Sequence, residues 1–349
     1  MYNFAPKTKT FVPYEPDTGS YRIRLDANES FLLPTEADRE RMAEAALKLP
    51  LNRYPDPLAR EVCAAWAALY GVDPAHVTAG NGSDELISLI MSAFLQRGEK
   101  VLTVAPDFSM YRFYTAITEN SCITLDKPEL QIDVDEVIET IKRENIRLFI
   151  FSNPCNPTSL GLTRKEVRRI ITGTDALIVL DEAYMDFWDQ SLLSEVTNYD
   201  NLIVLRTCSK ALGLASLRLG FAAANDKITS VLRAAKSPYN VNAVTQAMAA
   251  VVLKNPMYYE VYPGLIIESR RQLQAGFRQL AAEGVVDKVY ESCTNFILAE
   301  ANNADALDVI LKGQGIAVRR FGDFLRVTAG TQRENEAVLA VLGGKCNCQ

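Results

Sequence analysis

Two apolar stretches that run directly into polar residues decide how this sequence folds. ALIVL (176–180) leads into DEAY (181–184), and NLIVLR (201–206) leads into TCSK (207–210). Short, continuous apolar runs of this kind are typical of strands that are buried on both faces of a sheet. Ligands collect at the carboxyl ends of parallel strands, so the polar residues after each run are candidate site residues. The two stretches therefore predict a parallel sheet with a site along one edge.

The same pattern extends over residues 73–233, where short apolar runs alternate with longer amphipathic ones. This alternation is typical of strand-helix-strand units. We predict an α/β fold with a mostly parallel, seven-stranded sheet and helices on both of its faces. Its strands are predicted at 76–79, 100–104, 121–125, 147–151, 176–180, 201–206 and 219–223. Thr163 with Glu166 forms a capping box that predicts the start of one of the helices.

Beyond Lys236 the pattern changes to that of a smaller α+β domain. We predict helices near 244–254, 258–282 and 304–311, strands near 294–299, 316–319 and 324–328, and a last helix capped by Thr331 with Glu334. The first 33 residues are rich in proline and aromatic residues and lack a helical period, so they predict an extended arm. The predicted division is an arm at 1–33, a large domain at 34–236 and a small domain at 237–349.

Composition narrows the class of function. Of 349 residues, 48% are hydrophobic and 23% charged, and the formal charge is −6, which disfavours nucleic acid or an anionic membrane as partner. We expect small-molecule substrates and, because the first residues lack a signal-peptide core, a cytoplasmic location. Cys346 and Cys348 form a Cys-x-Cys that could hold a soft metal, but we interpret it as a frayed terminus and expect reduced thiols and no metal.

The sequence contains a single histidine, His76, which lies at the start of the first predicted strand. Any mechanism with a Ser-His-Asp or Cys-His arrangement, or with several histidine metal ligands, would have to use this residue. We therefore expect the chemistry to use another group, and a lysine that works with an organic cofactor is the favoured alternative.

Four predicted strand ends carry the candidate chemistry. GNGSDE (80–85) is similar to a dinucleotide-binding fingerprint, but Glu85 replaces the third glycine, and a plain tight turn is the alternative. DEAY has the form of a Walker B strand end, yet the sequence contains no P-loop. SNPCNPT (152–158) presents Asn156 from a loop fixed by prolines. TCSK places Lys210 among apolar neighbours, which would lower its pKa and suit imine formation.

Together these groups fit pyridoxal 5'-phosphate. Lys210 would form a Schiff base with the cofactor aldehyde and then move the substrate α-proton, while Asp181 would keep the pyridine nitrogen protonated. The other expected contacts are hydrogen bonds to the ring hydroxyl, a stacked aromatic ring and donors to the phosphate. Asn156 and Tyr184 are assigned to the ring hydroxyl and Phe108 to the stacking. The phosphate donors are Ser83 and Asp84, both through their backbone N–H groups, with Ser209 and Arg218.

These motifs, in this order, resemble the histidinol-phosphate aminotransferase group of the fold type I (class II subgroup) pyridoxal-phosphate-dependent aminotransferases. The similarity begins at LDANE (25–29) and RYPD (53–56), continues through the four strand ends and LRLG (217–220), and reaches LRVTAGT (325–331). It implies a homodimer with sites at the interface and an arm that packs on the small domain and on the partner subunit. It also implies ping-pong transamination between histidinol phosphate and 2-oxoglutarate in histidine biosynthesis.

The resemblance further implies roles for five residues. Tyr54 would reach the cofactor phosphate of the partner subunit, and Arg326 would grip the substrate α-carboxylate with its guanidinium fork. Arg319 and Tyr14 would meet the substrate phosphate, and Asn28 belongs to the same substrate-binding group.

Two features depart from the family pattern. Ser159 stands where glycine is usual, and the segment RFGDFL (320–325) is shorter than is usual, which leaves Arg320 as a rival to Arg319. Two other activities on this scaffold therefore stay open. An aromatic amino acid aminotransferase is favoured if the pocket beyond Arg326 is apolar and uncharged. A phosphothreonine-type decarboxylase would release carbon dioxide without needing 2-oxoglutarate.

Overall fold

The structure, a computed structural model, describes residues 2–13 and 17–344. Tyr14, Cys346 and Cys348 lie outside the described residues. The strands are β1 Ile23–Arg24, β2 Val77–Gly80, β3 Lys100–Ala105, β4 Ser121–Asp126, β5 Leu148–Ser152, β6 Leu177–Asp181, β7 Leu202–Thr207, β8 Gly220–Ala224, β9 Lys288–Val289, β10 Phe296–Glu300, β11 Ile316–Ala317, β12 Arg319–Phe321 and β13 Phe324–Thr328.

The α-helices are α1 Glu36–Leu47, α2 Arg60–Tyr70, α3 Gly82–Phe94, α4 Met110–Ile117, α5 Val134–Glu144, α6 Arg164–Gly173, α7 Asp226–Ala235, α8 Ala243–Leu253, α9 Met257–Glu260, α10 Tyr262–Ala282, α11 Ala304–Gly313 and α12 Gln332–Leu342. Among the described residues, no helix combines the length and the apolar character needed to cross a membrane.

All seven predicted strands join one sheet in the order β2-β8-β7-β6-β5-β3-β4, which confirms the predicted fold class. Strand β8 runs antiparallel to β2 and β7, and the other neighbouring pairs are parallel. Helices α4, α5 and α6 make the crossovers from β3 to β6, as parallel neighbours require. Asp181 was predicted to follow its strand but is the last residue of β6, because its backbone pairs with Ser152 of β5.

Apolar cores cover both faces of this sheet, because alternate residues of each strand point to opposite faces. Phe149 and Phe151 of β5 join a core with Trp66 of α2, whereas Leu148 and Ile150 join a separate core on the other face. A strand that is buried on both faces therefore appears in the sequence as one continuous apolar run.

A second sheet, β12-β13-β10-β9, is antiparallel and packs against α10, α11 and α12. The capping boxes predicted at Thr163 and Thr331 are both present. The helix predicted over 258–282 is instead two helices, α9 and α10, which meet at Val261. Pro263 lies at the start of α10. A backbone N–H at this position would have no acceptor within the helix, so proline costs no helical hydrogen bond.

The N-terminal segment is mostly extended, with one short 3-10 helix at Pro6–Thr10. Its strand β1 pairs in parallel with β11, which comes just before strand β12 of the smaller sheet along the chain. Helix α8 packs with α1 and α2 in the core of the larger sheet. The predicted division at 236/237 stays a prediction, and this packing favours grouping α8 with the larger sheet.

Candidate active site

A cavity of about 920 Å³ opens at the carboxyl ends of β3, β5, β6 and β7, between the larger sheet, the N-terminal segment and the β12–β13 hairpin. Twelve of the residues predicted for the site line this cavity: Asn28, Ser83, Asp84, Phe108, Asn156, Asp181, Tyr184, Ser209, Lys210, Arg218, Arg319 and Arg326. They come from seven regions of the sequence, and the fold brings them together at the carboxyl edge of the sheet, as predicted.

Lys210 lies just after β7 and is half-buried. Its Nζ donates a hydrogen bond to the backbone carbonyl of Ala27 at 3.0 Å and lies 5.7 Å from the centre of the Tyr184 ring. Burial, followed by the nearby Arg326 cation, lowers the pKa of Lys210 to about 8. Near neutral pH this amine can therefore lose its proton and act as a nucleophile or a base.

Asp181 is 5% exposed and is held by two hydrogen bonds. The Tyr111 hydroxyl donates to Oδ2 at 2.8 Å, and the backbone N–H of Ala183 donates to Oδ1 at 3.1 Å. Burial raises the pKa of Asp181 to about 7, so the carboxylate is poised to pair with a cationic ring nitrogen. Tyr111 was not predicted as a site residue, although it lies three residues after Phe108 at the start of α4.

The N-terminal segment supplies a partner for Tyr184. Asn28 has a positive φ of 53°, and its side-chain amide donates to the Tyr184 hydroxyl at 2.8 Å. The backbone N–H of Asn28 donates to Thr328 Oγ1 at 3.1 Å, which ties this segment to β13. Burial raises the pKa of Tyr184 to about 12, so its hydroxyl stays protonated and can donate a hydrogen bond into the cavity.

Arg326 is 6% exposed and is held in a fixed orientation. Its Nη1 donates to Asn156 Oδ1, and its Nη2 donates to the backbone carbonyl of Asp26 at 2.6 Å. The guanidinium also lies 5.4 Å and 5.3 Å from the ring centres of Phe296 and Phe321. An oriented guanidinium is suited to a carboxylate or a phosphate.

The short segment between Arg319 and Arg326 is a β-hairpin with Gly322 and Asp323 at its turn. Arg319 is the register partner of Arg326, so both residues lie on the same face, toward the cavity. Arg320 contacts Asp305 of α11 at 3.2 Å and does not line the cavity. The geometry therefore favours Arg319 over Arg320 for the predicted substrate contact.

An anion cradle lies at the start of α3. A Cβ on Gly82, whose φ is +80°, would come within 2.8 Å of Arg218 Nη2, and a Cβ on Gly220 would come within 2.5 Å of the Ser83 backbone nitrogen. Only glycine permits this close approach of backbone and guanidinium. The free N–H groups of the helix start and the Arg218 cation together suit a phosphate.

Three further predicted features lie elsewhere. Tyr54 is 80% exposed, stacks on Tyr239 with ring centres 4.5 Å apart and does not line the cavity of its own chain. Its predicted role in the partner subunit stays a prediction. Glu85, at the position of the missing third glycine, accepts from the backbone N–H of Asn81 and from Asn240. Ser159, in place of glycine, adopts a positive φ of 62°.

A lysine and a carboxylate at strand ends of the mixed sheet share one cavity with the arginines of the β12–β13 hairpin, an arrangement that fits an α/β enzyme acting on amines. Residues 21–342 match the family model described as aminotransferase class I and II, and the chain belongs to this family. The family resemblance seen in the motifs is thereby confirmed.

The relatives agree with this assignment. A protein of Clostridium novyi (strain NT) named histidinol-phosphate aminotransferase is 37% identical over 347 residues, which cover 98% of this chain and 96% of the relative. A protein of the same name from Clostridium kluyveri is 38% identical over 346 residues, or 96% of each chain. A crystal structure of histidinol-phosphate aminotransferase from Sinorhizobium meliloti in complex with pyridoxal-5'-phosphate shares the fold, with a TM-score of 0.87 at 21% identity and 99% coverage of both chains.

We expect an acylating reagent to modify Lys210 in the cofactor-free protein with a pH midpoint near 8, because burial and the Arg326 cation lower its pKa to about 8. Only the neutral amine reacts, so the rate rises as pH passes through this pKa. Mass spectrometry of proteolytic peptides measures the extent of modification at each pH.

The variant Arg326→Gln should move this midpoint upward, since it removes a cation that disfavours the ammonium form. Arg320→Gln is the matched control, because Arg320 contacts Asp305 outside the cavity. A midpoint near the ordinary lysine value of about 10.4 in the unaltered chain would contradict the placement of Lys210.

Proposed function

We propose that this chain is a pyridoxal-phosphate-dependent transaminase that exchanges an amino group between L-histidinol phosphate and 2-oxoglutarate, giving imidazole acetol phosphate and L-glutamate. The observation that carries the proposal is the single cavity shared by Lys210, whose pKa is lowered, the buried Asp181 and two arginines on one hairpin face. The names of the curated relatives support the substrate assignment.

The residues present fit the proposed cofactor. Asp181 would hold the ring nitrogen, and the cradle between the α3 start and Arg218 would hold the phosphate, with Ser83, Asp84 and Ser209 nearby. Tyr184 and Asn156 would meet the ring hydroxyl, and Phe108 would lie against the ring. When bound, pyridoxal phosphate supplies an electron sink that stabilises negative charge on the substrate α-carbon.

The chain's own groups then manage the proton and the substrate. Lys210 Nζ, with a pKa of about 8, can accept the α-proton and return it. The Ala27 carbonyl orients this amine at 3.0 Å. Arg326 would orient the α-carboxylate of glutamate through its fork, and the rings of Phe296 and Phe321 lie beside its guanidinium.

The cavity wall favours a phosphorylated substrate over an aromatic amino acid. Besides Arg326, the lining includes the cations Arg319 and Arg24 together with Phe321 and Phe324, so this wall carries charge. A phosphate carries up to two negative charges, and the Arg319 guanidinium, opposite Arg326 on the hairpin, would help to neutralise them.

Product analysis tests the proposed reaction. The purified enzyme with pyridoxal phosphate, histidinol phosphate and 2-oxoglutarate should form glutamate and keto phosphate in equal amounts, without gas release. Phenylalanine, tyrosine and phosphothreonine, tested in the same assay, should react far more slowly. Carbon dioxide release without 2-oxoglutarate would instead establish a decarboxylase, and a preference for phenylalanine or tyrosine would establish an aromatic aminotransferase.

Three arginine variants separate the proposed substrate contacts. Arg326→Ala should raise KM for glutamate by roughly ten- to a hundredfold, since a charge-assisted contact contributes about 1.5–3 kcal/mol. Arg319→Ala should raise KM for histidinol phosphate more than KM for glutamate. Arg320→Ala, on the other face of the hairpin, should leave both values unchanged. Equal effects of the Arg319 and Arg320 substitutions would contradict the proposed phosphate contact.

We also propose a homodimer in which Tyr54 completes the site of the partner subunit; the 80% exposure of Tyr54 supports this role. Mixing Lys210→Ala chains with Tyr54→Ala chains should restore activity above that of either variant alone. A mixed dimer then has one site with Lys210 from one chain and Tyr54 from the other. If mixed dimers form but activity is not restored, Tyr54 does not act across the interface.

A further inference from the structure

A buried lysine lies just outside the groups described above. Lys127 follows β4 directly, and its side chain is 1% exposed. An ammonium has three N–H donors, and Nζ has three acceptors: the Pro106 carbonyl at 2.9 Å, the Cys155 sulfur at 3.0 Å and Asp107 Oδ2 at 3.4 Å. Burial alone would lower the pKa of Lys127, but Asp107 and Cys155 raise it above its usual value, so the side chain is a cation.

Its partner Asp107, whose side chain is 2% exposed, joins two segments of the cavity wall. Asp107 Oδ1 accepts from the backbone N–H of Phe108 at 2.7 Å and from the Ser152 hydroxyl, and Oδ2 accepts from the Ser152 backbone N–H at 3.2 Å. The Ser152 hydroxyl in turn accepts from the backbone N–H of Asn156 at 3.3 Å. The Lys127–Asp107 pair therefore connects the segment that carries Phe108 with the segment that carries Asn156.

The segments that this pair connects lie next to Asp181. Ser152 is the register partner of Asp181, and Tyr111 packs edge-on against Phe108 while donating to Asp181. Burial is the largest cause of the raised pKa of Asp181, and the negative charges of Asp107 and Asp84 raise it further. The Asp181 charge also acts on Tyr111 from α4 and on Tyr184 from the following turn, and Lys210 and Arg218 line the same cavity.

We propose that Lys127 is a positioning residue of this site: its ammonium braces the Phe108 and Asn156 segments against each other and balances the Asp107 carboxylate beside Asp181. The inference rests on the proposed function, because an ionised Asp181 is what a protonated ring nitrogen requires. Lys127 acts through Asp107 and does not line the cavity.

The test measures the pH dependence of pyridoxal phosphate affinity by equilibrium dialysis of cofactor-free protein. Lys127→Met leaves Asp107 unbalanced and should move the acid-side loss of affinity to higher pH. Asp107→Asn leaves the Lys127 cation unbalanced and should move that loss to lower pH. Each of the two shifts is expected to be roughly 1 pH unit, the lower end of the effect of one nearby charge. The double variant carries neither charge and should return close to the wild-type value. The free cofactor titrates identically in every experiment, so differences between variants report on the protein.

Lys100→Met is the matched control, because it removes a partly exposed lysine that pairs with Glu144 at 2.9 Å, and no shift is expected. Thermal unfolding of each cofactor-free chain checks its folding. If Lys127→Met alone does not fold, the comparison of Asp107→Asn with the double variant isolates the Lys127 charge.

A merely structural role would weaken affinity at every pH without moving the transition. Folded variants whose transition pH equals that of the wild type would therefore overturn this inference alone. A wild-type chain that fails to bind pyridoxal phosphate would overturn the proposed function, and this inference with it.

Discussion

Two ionisable groups, the half-buried Lys210 and the buried Asp181, are partly or fully desolvated at the carboxyl edge of one sheet, and the remaining features of the site serve that constraint. Burial brings the pKa of the amine down to about 8 and that of the carboxyl up to about 7. A buried polar group without a hydrogen-bond partner is costly, and both groups are hydrogen-bonded. The Ala27 carbonyl holds Lys210, and the Tyr111 hydroxyl holds Asp181, so the N-terminal segment and α4 must both reach the sheet edge.

Close backbone approach and hairpin register complete the arrangement. Gly82 lets the start of α3 approach Arg218, and Gly220 lets the start of β8 approach the Ser83 backbone, at points where a Cβ would collide. On the other side of the cavity, the tight turn at Gly322 fixes the register that places Arg319 opposite Arg326. The site thus combines an anion cradle at the start of α3 and a pair of guanidinium groups on the hairpin with the amine and the carboxyl group, all lining one cavity.

Much of this could be predicted from the sequence, because apolar runs and their polar ends are local signals. The seven strands, both capping boxes and twelve cavity residues follow from such signals or from the motif resemblance. Tyr111 and the Lys127–Asp107 pair could not be predicted so easily, since their partners lie 70 and 20 residues away, and periodicity carries no information about such contacts. Alternation by two about the 322–323 turn could have distinguished Arg319 from Arg320. The position of Tyr54 relative to a site depends on a second chain, so a single chain cannot determine it.

Covalent attachment of the cofactor tests the central claim most directly. The chain, incubated with pyridoxal phosphate and reduced with borohydride, should carry the added cofactor mass on the peptide that contains Lys210 and on no other in stoichiometric amount. The Asp181→Asn variant should bind the cofactor much more weakly. Stoichiometric label on a different lysine, or cofactor affinity that is indifferent to the loss of the Asp181 charge, would contradict the account.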